Sequence, residues 1–215
     1  MTEHTQTDGA LPGEGDWLDP SMLRAHVEGR HVFVGVCGGI AVYKVCTLVS
    51  RLAQAGAEVT VAMTPSATRF VTPLTFQALS GRAVYTSPWD HIESQDPQHI
   101  ALADRADVAI VAPCTMDTMG KLASGRTDDV VTLILSAIDR VKTPVLLAPA
   151  MNEVMWNQPS TRRNAETLRG DGFGVLSPGN GWQACRHEGA GRLPEREELA
   201  AGVAMAIGGG AGLAG

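Results

Sequence analysis

From His31 onward the chain reads HVFVGV-CGG-IAVYKVCTLVSRLAQAG: a short β-branched run, a glycine pair, then apolar residues at helical spacing that stop at Gly56. The same alternation continues. EVTVAMT is a second strand, and TPLTFQALSG a helix ending at a glycine. VAIVAP, KTPVLLAP and GFGVLSP are further strands, and DDVVTLILSAI, STRRNAETLRGDG and REELAAGVAMAI further helices. Short, uniformly apolar strands separated by helices predict a doubly wound parallel α/β sheet, Rossmann-like, covered by helices on both faces.

A chain of 215 residues with 44% hydrophobic content suits one such domain. The polar, Gly- and Pro-bearing start and the GGGAGLAG end predict tails at 1–22 and 208–215 around a domain at 23–207. The net charge of −6 comes without a basic stripe, which argues against nucleic-acid partners and anionic membrane surfaces. No segment reaches the ~18 apolar residues of a membrane span and no cationic, apolar leader opens the chain, so a cytoplasmic protein is expected. Cys37, Cys46, Cys114 and Cys185 form no CxxC pair, which predicts reduced thiols and no zinc site.

In an open parallel sheet, ligands bind beyond the carboxyl ends of the strands, and the unusual segments of this chain fall at that edge. Gly38 and Gly39 let backbone N–H groups approach a phosphate at a helix N-terminus, although a tight βα turn explains them as well. The spacing is neither GxGxxG nor Gly-Lys-Ser/Thr, which disfavours a nicotinamide-dependent enzyme. Hydroxyls of Thr64, Ser66 and Thr68 either complete a phosphate site or cap a helix. APCTMDTMGKLASGRTDD reads as a long irregular loop, suited to a flat ring and ribityl-like hydroxyls or serving only to cap the helix near Asp128. His99 is a general-base candidate or a surface histidine. WQACRHEGAGRLPE reads as a flap over a substrate or a plain surface loop. PAMNEVMW is core packing at a strand end, or a site built around Asn152.

Taken in order, GGIAVYK, MTPSATRFVTPLTFQALSG, QHIALADRAD, APCTMDTMGKLASGRTDD, PAMNEVMWNQPSTRRN and QACRHEGAGR resemble the homo-oligomeric flavin-containing cysteine decarboxylases. That family spans phosphopantothenoylcysteine decarboxylases and peptidyl-cysteine decarboxylases. The resemblance runs from about His31 to Leu193 and implies a flavodoxin-like fold, bound FMN, and trimers that often assemble into dodecamers, with active sites between subunits. It implies that Gly38, Gly39, Ile40, Thr64 and Ser66 hold the phosphate side of FMN, and that Ala112, Pro113, Thr115 and Met116 line the flavin. His99 matches the active-site histidine, Asn152 the asparagine that binds the substrate carboxylate, and Cys185 with Gly189 the substrate clamp. Met151 and Met155 flank Asn152 as substrate-contacting residues. Two departures are visible: Cys114 and Asp117 stand where the family has Ala and Asn, and Arg186 and His187 where coenzyme A enzymes have Gly and Asp.

The resemblance also implies the chemistry. FMN oxidises the cysteine CH2–SH to a thioaldehyde, and the carboxylate then leaves as carbon dioxide because the thiocarbonyl accepts the electron pair as an enethiolate. His99 handles the proton, while Asn152 orients the carboxylate. Cys185 favours phosphopantothenoylcysteine as substrate. The altered clamp, the lack of a fused synthetase segment and a lysine-poor composition suggesting a high-GC genome favour the C-terminal cysteine of a ribosomally made peptide. The peptide is the preferred expectation and phosphopantothenoylcysteine the alternative. A non-catalytic regulatory flavoprotein ranks third, because Asn152 and His99 are both present.

Overall fold

The computed structural model describes residues 20–89, 97–184, 186 and 188–209. Six parallel strands form its sheet: β1 (His31–Val36), β2 (Glu58–Met63), β3 (Val84–Tyr85), β4 (Val108–Cys114), β5 (Val145–Pro149) and β6 (Gly174–Val175), in the order β3-β2-β1-β4-β5-β6. This is the doubly wound, flavodoxin-like α/β arrangement expected from the alternation. The order reverses between β1 and β4, so their carboxyl ends diverge into a crevice.

Strand periodicity divides the core. Val32, Val34 and Val36 of β1 point to a layer filled by Leu23 and Val27 of α1 (Pro20–Val27), Val45, Leu48 and Leu52 of α2 (Val42–Gln54), and Leu199 and Val203 of α9 (Arg196–Gly209). Phe33 points the other way, toward Leu102 of α4 (Gln98–Arg105), Met119 of α5 (Met116–Ala123), Ile134 of α6 (Val130–Ala137) and Leu168 of α8 (Pro159–Gly170). All seven residues of β4 are buried, which accounts for its unbroken apolar run. α3 (Pro73–Ser80) contributes the buried Phe76 and stops at Gly81, which adopts φ 68°.

Several expectations change. Residues 20–22, placed in the amino-terminal tail, open α1, and the last helix continues to Gly209, two residues into the expected carboxyl-terminal tail; the remainder of both expected tails lies outside the described residues. The stretch after β4 is not an irregular loop. Thr115 caps α5 by accepting the Thr118 N–H, and Met119 and Leu122, three apart, bury one side of the helix. The glycine-rich flap is a hairpin, with β7 (Gly179–Trp182) antiparallel to β8 (Glu188–Arg192). Beyond β5, Asn152 accepts the Val154 N–H and caps the one-turn helix α7 (Glu153–Trp156).

Candidate functional site

A cavity of about 1020 Å³ opens at the carboxyl edge of the sheet, where β1 and β4 diverge. Three walls bound it. The first is the β1–α2 turn, whose Gly38, Gly39 and Ile40 border the cavity together with Thr64 and Ser66 from beyond β2. A Cβ on Gly38 would overlap the Ser66 side chain and backbone, so only glycine lets these two loops close on each other. Ala41, at the amino end of the 13-residue α2, makes no side-chain cap; the Val42 N–H donates to the Gly39 carbonyl and the Lys44 N–H to the Ala41 carbonyl, both at 3.0 Å, and the positive end of the helix lies at this wall. Thr64 Oγ1 accepts the Ala67 N–H at 3.3 Å, so it also serves as the local cap. Thr68 turns its hydroxyl onto the Pro65 carbonyl at 2.8 Å and does not border the cavity.

The second wall is the end of β4 and the first turns of α5: Pro113, Thr115, Met116, Asp117, Thr118 and Lys121. Ala112 does not reach it. The alternation of β4 turns Ala112 away, into the core beneath α2 and α9, with no exposed surface. Lys121 forms ion pairs with Asp129 at 3.0 Å, Asp128 at 3.1 Å and Asp117 at 3.2 Å. Burial alone disfavours its charge, but hydrogen bonds to the three carboxylates outweigh that and hold the ammonium well above the ordinary lysine range. Asp129 in turn accepts the Thr132 N–H at 2.9 Å and caps α6, so one cation ties α5 to α6 at the cavity wall. The i,i+4 spacing of Asp117 and Lys121 is the one sign of this cluster in the sequence, since Asp128 and Asp129 join it only after α5 and the following turn have folded.

The third wall consists of Met151, Asn152 and Met155 after β5, together with Trp182, Gln183, Gly191 and Arg192 of the hairpin. Met151 N–H donates to the Gly191 carbonyl at 2.9 Å, which joins the two segments. Gly189 lies off the cavity; a side chain there would strike the Glu153 carboxylate, so its lack of one makes room for Glu153 and not for a ligand. Cys185 and His187 lie outside the described residues. His99, in α4 on the α6 side of the sheet, does not border this chain's cavity.

The described thiols are poor nucleophiles. Burial pushes Cys37 up to about 12, although the Thr118 hydroxyl donates to its sulfur at 3.1 Å, and burial likewise raises Cys114 well above an ordinary thiol. What remains for chemistry is a glycine turn and helix end suited to an anion, a wall that mixes Pro113, Met116 and the hydroxyls of Thr115 and Thr118 with the charged Lys121 cluster, and an Asn152 amide held by the Val154 N–H. Among the described residues, no helix is long and apolar enough to cross a membrane.

Comparison with known proteins finds relatives over most of the chain. The profile of a family described as Flavoprotein covers residues 21–208. The coenzyme A biosynthesis bifunctional protein CoaBC of Bacillus subtilis is 49% identical over 176 residues, 80% of this chain and 42% of that protein. The corresponding protein of Haemophilus influenzae is 43% identical over 173 residues, again 80% of this chain and 42% of the relative. The chain thus spans about four-tenths of the length of the curated relatives it matches. Among solved structures, a PPC (phosphopantothenoylcysteine) decarboxylase mutant complexed with pantothenoylaminoethenethiol superposes with TM-score 0.73 at 30% identity, over 81% of this chain and 96% of the other. The FMN-dependent cysteine decarboxylase SpaF superposes with TM-score 0.71 at 27% identity, over 86% and 99%.

Proposed function

The chain belongs to the Flavoprotein family, and from that membership and the cavity at its sheet edge we propose that it is an FMN-dependent cysteine decarboxylase acting on phosphopantothenoylcysteine. The observation that carries the reading is the pairing of a glycine-only phosphate turn at Gly38 with a fixed Asn152 amide across one cavity. The residues present fit FMN. Gly38, Gly39, Ile40 and Ser66 with the amino end of α2 would hold the phosphate, and Pro113, Thr115 and Met116 the ring side. When bound, FMN supplies two-electron redox chemistry that the protein's own side chains lack.

The protein's part is binding and orientation. Asn152 holds the substrate carboxylate by its amide while its Oδ1 stays committed to the Val154 N–H at 2.8 Å, so the side chain cannot swing away. Met151 and Met155 give the cysteine side chain an apolar wall that excludes water. The enethiolate left after carbon dioxide departs must gain two electrons, which bound FMN would return, as well as protons to become the product thiol, and His99 and Cys185 are the groups we assign to the protons. His99 of one subunit reaches the cavity of another in this proposal, which makes the working unit a trimer or a larger assembly of trimers.

The preference for a peptide substrate gives way here. It rested on the altered clamp, the lack of a fused synthetase segment and the lysine-poor composition, whereas 49% identity to a coenzyme A protein over most of the chain favours the alternative. The departure from the coenzyme A clamp at Arg186 and His187 keeps the peptide as the second reading. Purified protein is expected to be yellow, to release FMN on denaturation, and to evolve carbon dioxide from phosphopantothenoylcysteine. A colourless protein that leaves added FMN unbound would end the proposal.

A further inference from the structure

Gln183 is a hairpin residue only 8% exposed, and it spends both ends of its amide at the edge of Asn152. Its Oε1 accepts the Asn152 Nδ2–H at 3.4 Å and the Glu153 backbone N–H at 3.3 Å. Its Nε2 donates to the Ala190 carbonyl at 2.8 Å. Asn152 is therefore gripped from two directions: its oxygen by the Val154 N–H and its nitrogen by Gln183. Rotating the Asn152 amide by half a turn would set oxygen against Gln183 Oε1 and nitrogen against the Val154 N–H, losing both bonds and creating two like contacts. Gln183 cannot yield by flipping either, because its own nitrogen is held by Ala190.

We propose that Gln183 is the positioning residue that fixes the polarity and rotamer of Asn152 for the substrate carboxylate and ties that setting to the β7–β8 hairpin. This rests on the functional reading above. Gln183 need not touch substrate to act; it determines which atom of Asn152 points where, and the hairpin determines where Gln183 stands. The Met151 to Gly191 hydrogen bond keeps the two segments in register while the Gln183 amide sets the side chain.

The test uses Gln183→Met in the full-length, FMN-loaded protein, since methionine keeps the length of the side chain and removes its hydrogen bonds. Two unreactive probes are titrated calorimetrically: the serine analogue of phosphopantothenoylcysteine, which keeps the carboxylate but has no thiol to oxidise, and the decarboxylated form of that analogue, which has neither. The variant should bind the serine analogue about 10-fold more weakly, the loss of one charge-directed hydrogen bond, and the decarboxylated analogue within about twofold of wild type. Equal weakening of both probes, or of neither, would overturn the inference, the first by making Gln183 a mere scaffold residue. If methionine costs FMN content, Gln183→Leu is the second variant, with the same selective loss expected. Wild-type protein that binds neither probe would bring down the functional reading itself, and the wild-type titrations report that separately from the variant comparison.

Discussion

At the scale of single residues, substitution can separate the α7 cap that Asn152 makes from the carboxylate binding proposed for it. Asn152→Ala removes the cap together with the proposed carboxylate ligand, and should cost about 1 kcal/mol of stability besides activity. Asn152→Asp keeps a capping oxygen but sets a negative charge against the substrate carboxylate. It should retain FMN, by its visible spectrum, and lose about 100-fold or more in kcat/KM for decarboxylation; near-normal turnover would remove Asn152 from the site. Gly38→Ala drives a methyl group into Ser66 and should destabilise the fold by about 1–3 kcal/mol and weaken FMN binding, read by denaturant titration and by fluorescence. Most single residues of the cavity were visible in the sequence only through the six motifs read together, because a tight turn, helix capping and strand-end packing each account for Gly38, Thr64 and Asn152 taken singly. Ala112 and Gly189 do not border this chain's cavity, which motif position could not foretell, because it does not say which way a strand residue faces or what a glycine makes room for.

At the scale of elements, the Lys121 cluster fastens α5 to the start of α6. Removing the cation in Lys121→Met leaves Asp129, 6% exposed, without its ion pair; solvent screening of the more open Asp117 and Asp128 tempers the loss to about 1–2 kcal/mol. The pH dependence has a definite sign. The folded protein holds the Lys121 proton more tightly than the unfolded chain does, so the stabilisation is full below the ordinary lysine value of 10.5 and fades as pH rises beyond it. Denaturation midpoints of wild type and Lys121→Met should therefore differ by a constant amount through neutral pH and converge only in strong alkali; convergence near pH 7 would contradict the assignment. The helix α5 itself was illegible in the sequence. Gly120 and the polar Thr118 and Lys121 interrupt its pattern, and the burial of Met119 and Leu122 becomes meaningful only once the second face of the sheet exists. The hairpin was hidden for a related reason, since Gly179, Gly181, Gly189 and Gly191 supply no alternation of apolar and polar side chains to read.

At the scale of the whole molecule, the sheet was predictable because buried parallel strands write themselves as apolar runs, and the crevice followed from the order of those strands. What one chain cannot display is a site completed by another, and His99, away from this chain's cavity, is the residue that raises the matter. If His99 of one subunit serves Asn152 of the next, His99→Asn and Asn152→Asp should each be inactive alone. Co-assembled from a mixture, they should regain activity at roughly a quarter of the sites, as random pairing in a closed ring predicts. No recovery in verified mixed assemblies would place both residues in one subunit's site or remove His99 from it.

The central claim is the reaction and its substrate, and product mass tests both at once. FMN-loaded protein incubated with phosphopantothenoylcysteine should yield a product lighter by about 44 Da, the mass of carbon dioxide, with the flavin returned to its oxidised state. An unchanged phosphopantothenoylcysteine beside a cysteine-terminated peptide lighter by about 46 Da, carbon dioxide plus two hydrogens, would contradict the account.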